Sequence, residues 1–188
     1  MYSVLSQAML FTVQKDGDYS SLTFSDSGPS VLNWYNEALK PYIKVTKECY
    51  ESAGCWHTSG PTKYLNGNTA TYDRGDIGVG YGIVVFNTMD GYAVDMDGYS
   101  ASDASNRFGV NVTSDTLAIY VDVNGKGNPN IIGKDIYVFV FSDKGFVPAG
   151  HDRTDSQVNS DCSKTGTGQF CFEKIIRNSW QIDKENLW

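Results

Sequence analysis

Hydrophobic periodicity changes once along this chain, and that change limits the fold more than any other feature. From Tyr2 to Gln14 the apolar residues Val4, Leu5, Ala8, Met9 and Phe11 recur at helical spacing. Val31, Leu32, Tyr35, Ala38 and Leu39 repeat the pattern after a helix-opening Gly28-Pro29-Ser30. Asp16-Gly17-Asp18 separates the two, and Pro41 interrupts the second. Beyond about residue 80 the period becomes two. Tyr81 to Asn87, Tyr92 to Met96, Thr116 to Val123 and Ile136 to Phe141 read as strands, and Phe170 to Ile176 as a further one. Asp90-Gly91, Asn124-Gly125 and Asp143-Lys144-Gly145 supply turn chemistry between them, which favours antiparallel pairing. Leu117, Ile119 and Val121 share one face, and Ala118, Tyr120 and Asp122 the other, a pattern for a strand wet on one side. Helices first and a meander afterwards define an α+β layout.

The 188 residues fit a single domain, 1–188. Its parts are a helix over 1–15, a second helical region over 29–50, a loop from about 51 to 80, and a sheet with a C-terminal loop over 81–182. Net charge is −7 with no cluster of Lys and Arg in the sequence, which disfavours nucleic acid as a partner and leaves only a basic patch assembled by folding as the alternative. No apolar run reaches the ~18 residues of a membrane span. The first helix opens in mid-pattern, which suggests a cut through a longer helix.

The four cysteines form two local pairs, Cys49 with Cys55 and Cys162 with Cys171. Neither pair has CxxC spacing, and only His57 is near, which disfavours zinc. Two short-loop disulfides, and hence an oxidising compartment, are the reading preferred over four free thiols. Catalytic signatures are missing. His57 and His151 are the only histidines, and no G-x-S-x-G elbow, H-E-x-x-H or phosphate-binding loop occurs. Gly78 to Gly82 enters a strand, so it reads as strand-entry glycine. Asp95 and Asp97 alternate onto one strand face and read as a solvated edge. Trp34, Trp56, Trp180 and Trp188 read as core or surface anchors.

Four stretches carry a family resemblance: YSVLSQA at 2–8; LKPYIKVTKEC at 39–49 with GCW at 54–56; VDVNGKGNPNIIGKDIYVF at 121–139; and the run Ile175, Ile176, Asn178, Trp180 after Cys162 and Cys171. Over most of its length the chain resembles the globular region of type IV pilins and of type II secretion pseudopilins. Ser179 stands where such chains commonly have glycine. The resemblance implies a pilin-like fold, an N-terminal helix packed on an antiparallel meander with disulfide-stapled loops. It further implies a membrane-anchored precursor, trimmed and methylated by a prepilin peptidase and stacked with other subunits by an inner-membrane assembly platform. The product is a filament in the periplasm or at the cell surface, with a structural rather than catalytic role. A secreted β-rich binding module for carbohydrate or a surface adhesin is the alternative, ahead of a secreted hydrolase.

One loop invites a cofactor. Asp122, Asn124, Asn128, Asn130 and Asp135 crowd an oxygen-rich segment punctuated by glycine. Calcium takes such ligands, although the spacing is not that of an EF-hand. Asx-turns that shape a long connection without metal are the competing explanation.

Overall fold

The structure is a computed structural model that describes residues 1–16, 28–72 and 75–182. Gly17, Asp18 and Trp188 lie outside the described residues. Helix α1 (Tyr2–Asp16) opens the chain, followed by α2 (Gly28–Trp34), one π-helical turn (Tyr35–Leu39) and a 3₁₀ turn (Lys40–Tyr42). Pro41 explains that sequence of turns. It has no N–H for an α-helical bond, and the ladder shifts so that the Lys40 N–H reaches back to the Tyr35 carbonyl.

Nine strands follow among the described residues: β1 (Val45–Tyr50), β2 (Thr71–Tyr72), β3 (Gly75–Asp76), β4 (Val79–Gly80), β5 (Val84–Thr88), β6 (Ala93–Tyr99), β7 (Thr116–Asp122), β8 (Ile136–Ser142) and β9 (Gly145–Pro148). Six of them form one antiparallel sheet in the order β1-β5-β6-β7-β8-β9, and β2, β3 and β4 form a small second sheet. The Asp90-Gly91 and Asp143-Lys144-Gly145 turns join neighbours, as their chemistry requires.

The chain forms three layers. On one face, Leu5, Ala8 and Met9 of α1 and Val31, Tyr35, Ala38 and Leu39 of the second helical region pack on Phe86, Met96, Leu117, Ile119, Phe139 and Phe141. The opposite face is also covered. Trp56, Ile77, Tyr99, Phe108 and Val110 pack on Val85, Ala118, Tyr120, Val138 and Val140. All seven residues of β7 are therefore buried, and the sheet has no wet face there. Alternating apolar character cannot distinguish water from a second layer built by distant loops.

Several sequence readings need correction. Residues 45–50 are not helical. Their β-branched and aromatic residues pair with β5 as an edge strand, and Cys49 ties that strand to the next loop. The polar stretch at 100–107 is helix α3 (Ala101–Phe108). Ser100 caps it by accepting the Asp103 N–H, and Gly109 closes it at φ 65°. The loop after His151 contains α4 (Asp155–Asp161), opened by a capping box between Thr154 and Gln157. Phe170 to Ile176 is largely the helix α5 (Cys171–Arg177) rather than a strand. Its short apolar run is ambiguous in period, and Phe172 and Ile176, one turn apart, meet the helix-side core.

Candidate functional site

On α1, Leu5, Ala8, Met9 and Thr12 face inward, and Thr12 turns its hydroxyl back to the Met9 carbonyl. Val4 and Phe11, which share the apolar helical spacing, remain 46% and 50% exposed. Leu10 is 51% exposed as well. The helix is apolar on more sides than one domain can bury. Phe11 stacks on Tyr42 with ring centroids 5.6 Å apart. Next to them Met1, Val4, Tyr42, Ile43, Met89 and Tyr92 line a groove of about 340 Å³.

The oxygen-rich connection between β7 and β8 folds into a hydrogen-bonded knot, with a cis peptide between Asn128 and Pro129. Asp135 is buried and accepts the Asn130 N–H at 2.8 Å, the Ile131 N–H at 2.7 Å and the Asn124 side-chain amide at 3.1 Å. That amide also donates to the Asn128 carbonyl. Asn130 donates to the Ser59 hydroxyl and to the side-chain oxygen of Asn128. Asp122 is fully buried; one oxygen accepts the Asn124 N–H at 3.0 Å, and the other has no hydrogen-bond partner. Burial pushes its carboxyl up to about 7; the Asn124 N–H opposes the rise and nearby Asp135 adds to it.

All five sequence-selected residues thus come together, but largely by bonding to one another and to backbone amides. Among their side-chain oxygens, only those of Asp122 and Asn130 are buried without a hydrogen-bond partner. Calcium takes six to eight oxygens, whereas here the carboxylate oxygens of Asp135 accept backbone and amide donors and Asp122 accepts the Asn124 N–H in an Asx-turn. Among the described residues no group of three or more His, Cys, Asp or Glu side chains could hold a metal ion.

Both disulfides are formed, Cys49–Cys55 and Cys162–Cys171, and no cysteine is free. His57 is buried and bonds Thr62 Oγ1 at 2.7 Å, which also accepts the Trp56 indole N–H. Burial lowers the His57 pKa, and Asp135 opposes the shift. His151 stands 3.9 Å from Glu173. Neither histidine is hydrogen-bonded to a serine among the described residues.

Asp95 is not on a solvated edge. It is fully buried on an interior strand and accepts the Gly78 N–H at 2.5 Å, while Asp97 is half-buried. Gly78, at φ 88°, passes so close to Trp56 that a Cβ there would lie 2.2 Å from the indole. Trp34 and Trp56 are core residues, whereas Trp180 is 58% exposed.

Two features were not legible in the residues. Arg177 donates to Glu173, Asp155 and the carbonyls of Gly150, His151 and Arg153. Asp161 accepts from the Thr167 and Phe170 N–H groups and the Thr167 hydroxyl, bracing the second disulfide loop. The glutamate one turn before Arg177 was the only local signal for either.

Comparison with known protein families, curated proteins and solved structures finds no match to this chain.

Proposed function

We propose that the chain is the globular part of a filament subunit of the type IV pilin or pseudopilin class. The observation that carries this reading is α1. Its inner face is fixed to the sheet, and its outer face still presents Val4, Leu10 and Phe11. Such a helix suits a place between its own sheet and neighbouring helices in an assembly. Its place across an antiparallel sheet and the two disulfides agree with that role. The disulfides fit an extracytoplasmic compartment. Among the described residues no helix is long and apolar enough to cross a membrane, and the reading assigns the anchor to a precursor. Other subunits, the assembly platform and the prepilin peptidase are its proposed partners.

Mass-spectrometric sequencing of the N-terminus of the native protein tests this. The expected result is an N-methylated residue opening a long apolar helix that continues into residues 2–8. A terminus left by an ordinary signal peptidase, with no such helix, overturns it.

One observation favours a second reading, a secreted binding module. Trp180 stands beside Tyr2 and Phe172, at centroid distances of 5.7 and 5.9 Å, over a groove of about 620 Å³ also lined by Ser3, Ser6 and Gln7. Aromatic faces with hydroxyl and amide edges suit a sugar ring. Quenching or shift of tryptophan fluorescence by an oligosaccharide panel, lost in Trp180→Ala, supports that reading; no response across the panel removes it.

A further inference from the structure

Among the described residues, the strand register places several charges that lack an ion-pair partner at opposite ends of the sheet. One end is the row Val45, Thr88, Ala93, Asp122, Ile136. Lys44 precedes β1 there, and Lys126 and Lys134 lie in the connection from β7 to β8. Lys63 joins them, since its backbone bonds Asn130 and Ile132. The other end is the row Thr116, Ser142, Gly145 with the start of α3. It carries Asp103, Asp115 and Asp143. Asp103 accepts the Ser100 hydroxyl and Asp143 the Thr113 hydroxyl, and among the described residues neither accepts from a cation.

Among the described residues none of these seven groups makes an ion pair within 4.0 Å. The sorting has exceptions, among them Arg107, whose guanidinium lies 5.5 Å from the ring of Tyr99 beside Thr116 at the acidic end. Asp90 is exposed at the lysine end, while Asp122 and Asp135 there are buried. Lys144 sits at the acidic end but is bound to Asp152 at 2.5 Å. The residues of β7 hold the two ends roughly 23 Å apart. That is more than twice the screening length of about 8 Å at physiological salt, so each end acts as a separate patch.

We propose that the lysine end of one copy receives the aspartate end of a second copy, an end-to-end contact that rests on the filament reading and supplies its polarity. Charge complementarity selects this occupant. A chain of net charge −7 repels its copies on average, and orientation decides whether they can meet. A two-fold contact through either end sets like charges against each other. Only the heterologous pairing matches opposite ones, and a heterologous contact leaves a free end on each side to propagate.

Charge-swap variants test it. Lys126→Glu/Lys134→Glu makes both ends acidic; Asp115→Lys/Asp143→Lys makes both basic. Self-association of the whole chain is followed by sedimentation at low and at high salt. Weak association of the wild type that fades at high salt is expected. Each variant alone should associate roughly tenfold more weakly, as lost pairs at a solvated interface predict. An equimolar mixture of the two should recover association. If a variant fails to fold by circular dichroism, Lys126→Cys and Asp115→Cys mixed under oxidation report the same contact, as more heterodimer than either homodimer.

No association of the wild type, association indifferent to salt and to both swaps, or a mixture that does not recover overturns the contact. So does retention of a DNA duplex at the lysine end without self-association. The filament reading falls separately: an ordinary signal-peptidase terminus on the native protein removes it even where the swap succeeds, and a methylated terminus preserves it even where the swap fails.

Discussion

Asp122 shows how a single buried atom shapes the behaviour of the chain. With its pKa raised from the ordinary 3.8 to about 7, the folded protein holds this proton more tightly than the unfolded chain does. The stability this group contributes is therefore complete below pH 4. It falls by ~1.4 kcal/mol for each tenfold drop in proton concentration as pH climbs towards 7, and then levels off. Asp122→Asn should remove that slope, so its urea midpoint should exceed that of the wild type most clearly at pH 8. Equal midpoints at pH 8 would show that the buried oxygen carries no such cost. Ser179 is the second case. It holds φ 55° and Trp180 holds φ 65°, both left-handed without being glycine. Ser179→Gly should raise stability by about 0.5–1 kcal/mol, read as a higher thermal midpoint, because the steric cost of the Cβ at this φ exceeds the entropy that glycine adds to the unfolded chain.

At the scale of elements, α5 depends on one guanidinium. Arg177 bonds Glu173, Asp155 and three carbonyls together, and it gathers α4, α5 and the strap after β9. Glu173 is buried, so removing the arginine strands a carboxylate. Arg177→Met should cost about 2–3 kcal/mol in urea unfolding, and Arg177→Lys should recover only part, because an ammonium cannot span the same fork. Full recovery by lysine would reduce the arginine to a point charge. α1 shows the opposite economy. Its inner residues pack on the sheet, and its outer Val4, Leu10 and Phe11 contribute little to the isolated fold.

For the whole molecule, the two disulfides join segments close in sequence, 6 and 9 residues apart. Short loops recover limited chain entropy, so each bond should contribute about 2–3 kcal/mol. Reduction should lower the denaturation midpoint without abolishing the three-layer fold, and replacing Cys162 and Cys171 by serine should remove one of the two increments. An unfolded chain on reduction would mean that the cores alone do not hold the layers. The sheet passes through the middle with apolar side chains on both faces, so most of the burial depends on loops and helices arriving from far along the chain.

Local pattern alone determined the opening helices, the interior strands β7 and β8, the hairpin at Asp90-Gly91 and the pairing of the cysteines. Each rests on residues within a few positions of one another, where periodicity and turn chemistry act directly. Tertiary contact decided the rest. Whether Asp95 meets water, whether β7 has a wet face, and whether Phe170 to Ile176 coils or extends depend on what packs above them. The crowding of Asp122, Asn124, Asn128, Asn130 and Asp135 was legible, but not its closure on itself, because Ser59 enters from another loop to bond Asn128 and Asn130. The five-bonded Arg177 and the charge-sorted ends of the sheet arise only when register places residues far apart in sequence side by side. That is a property of the folded chain, which no window of neighbouring residues contains.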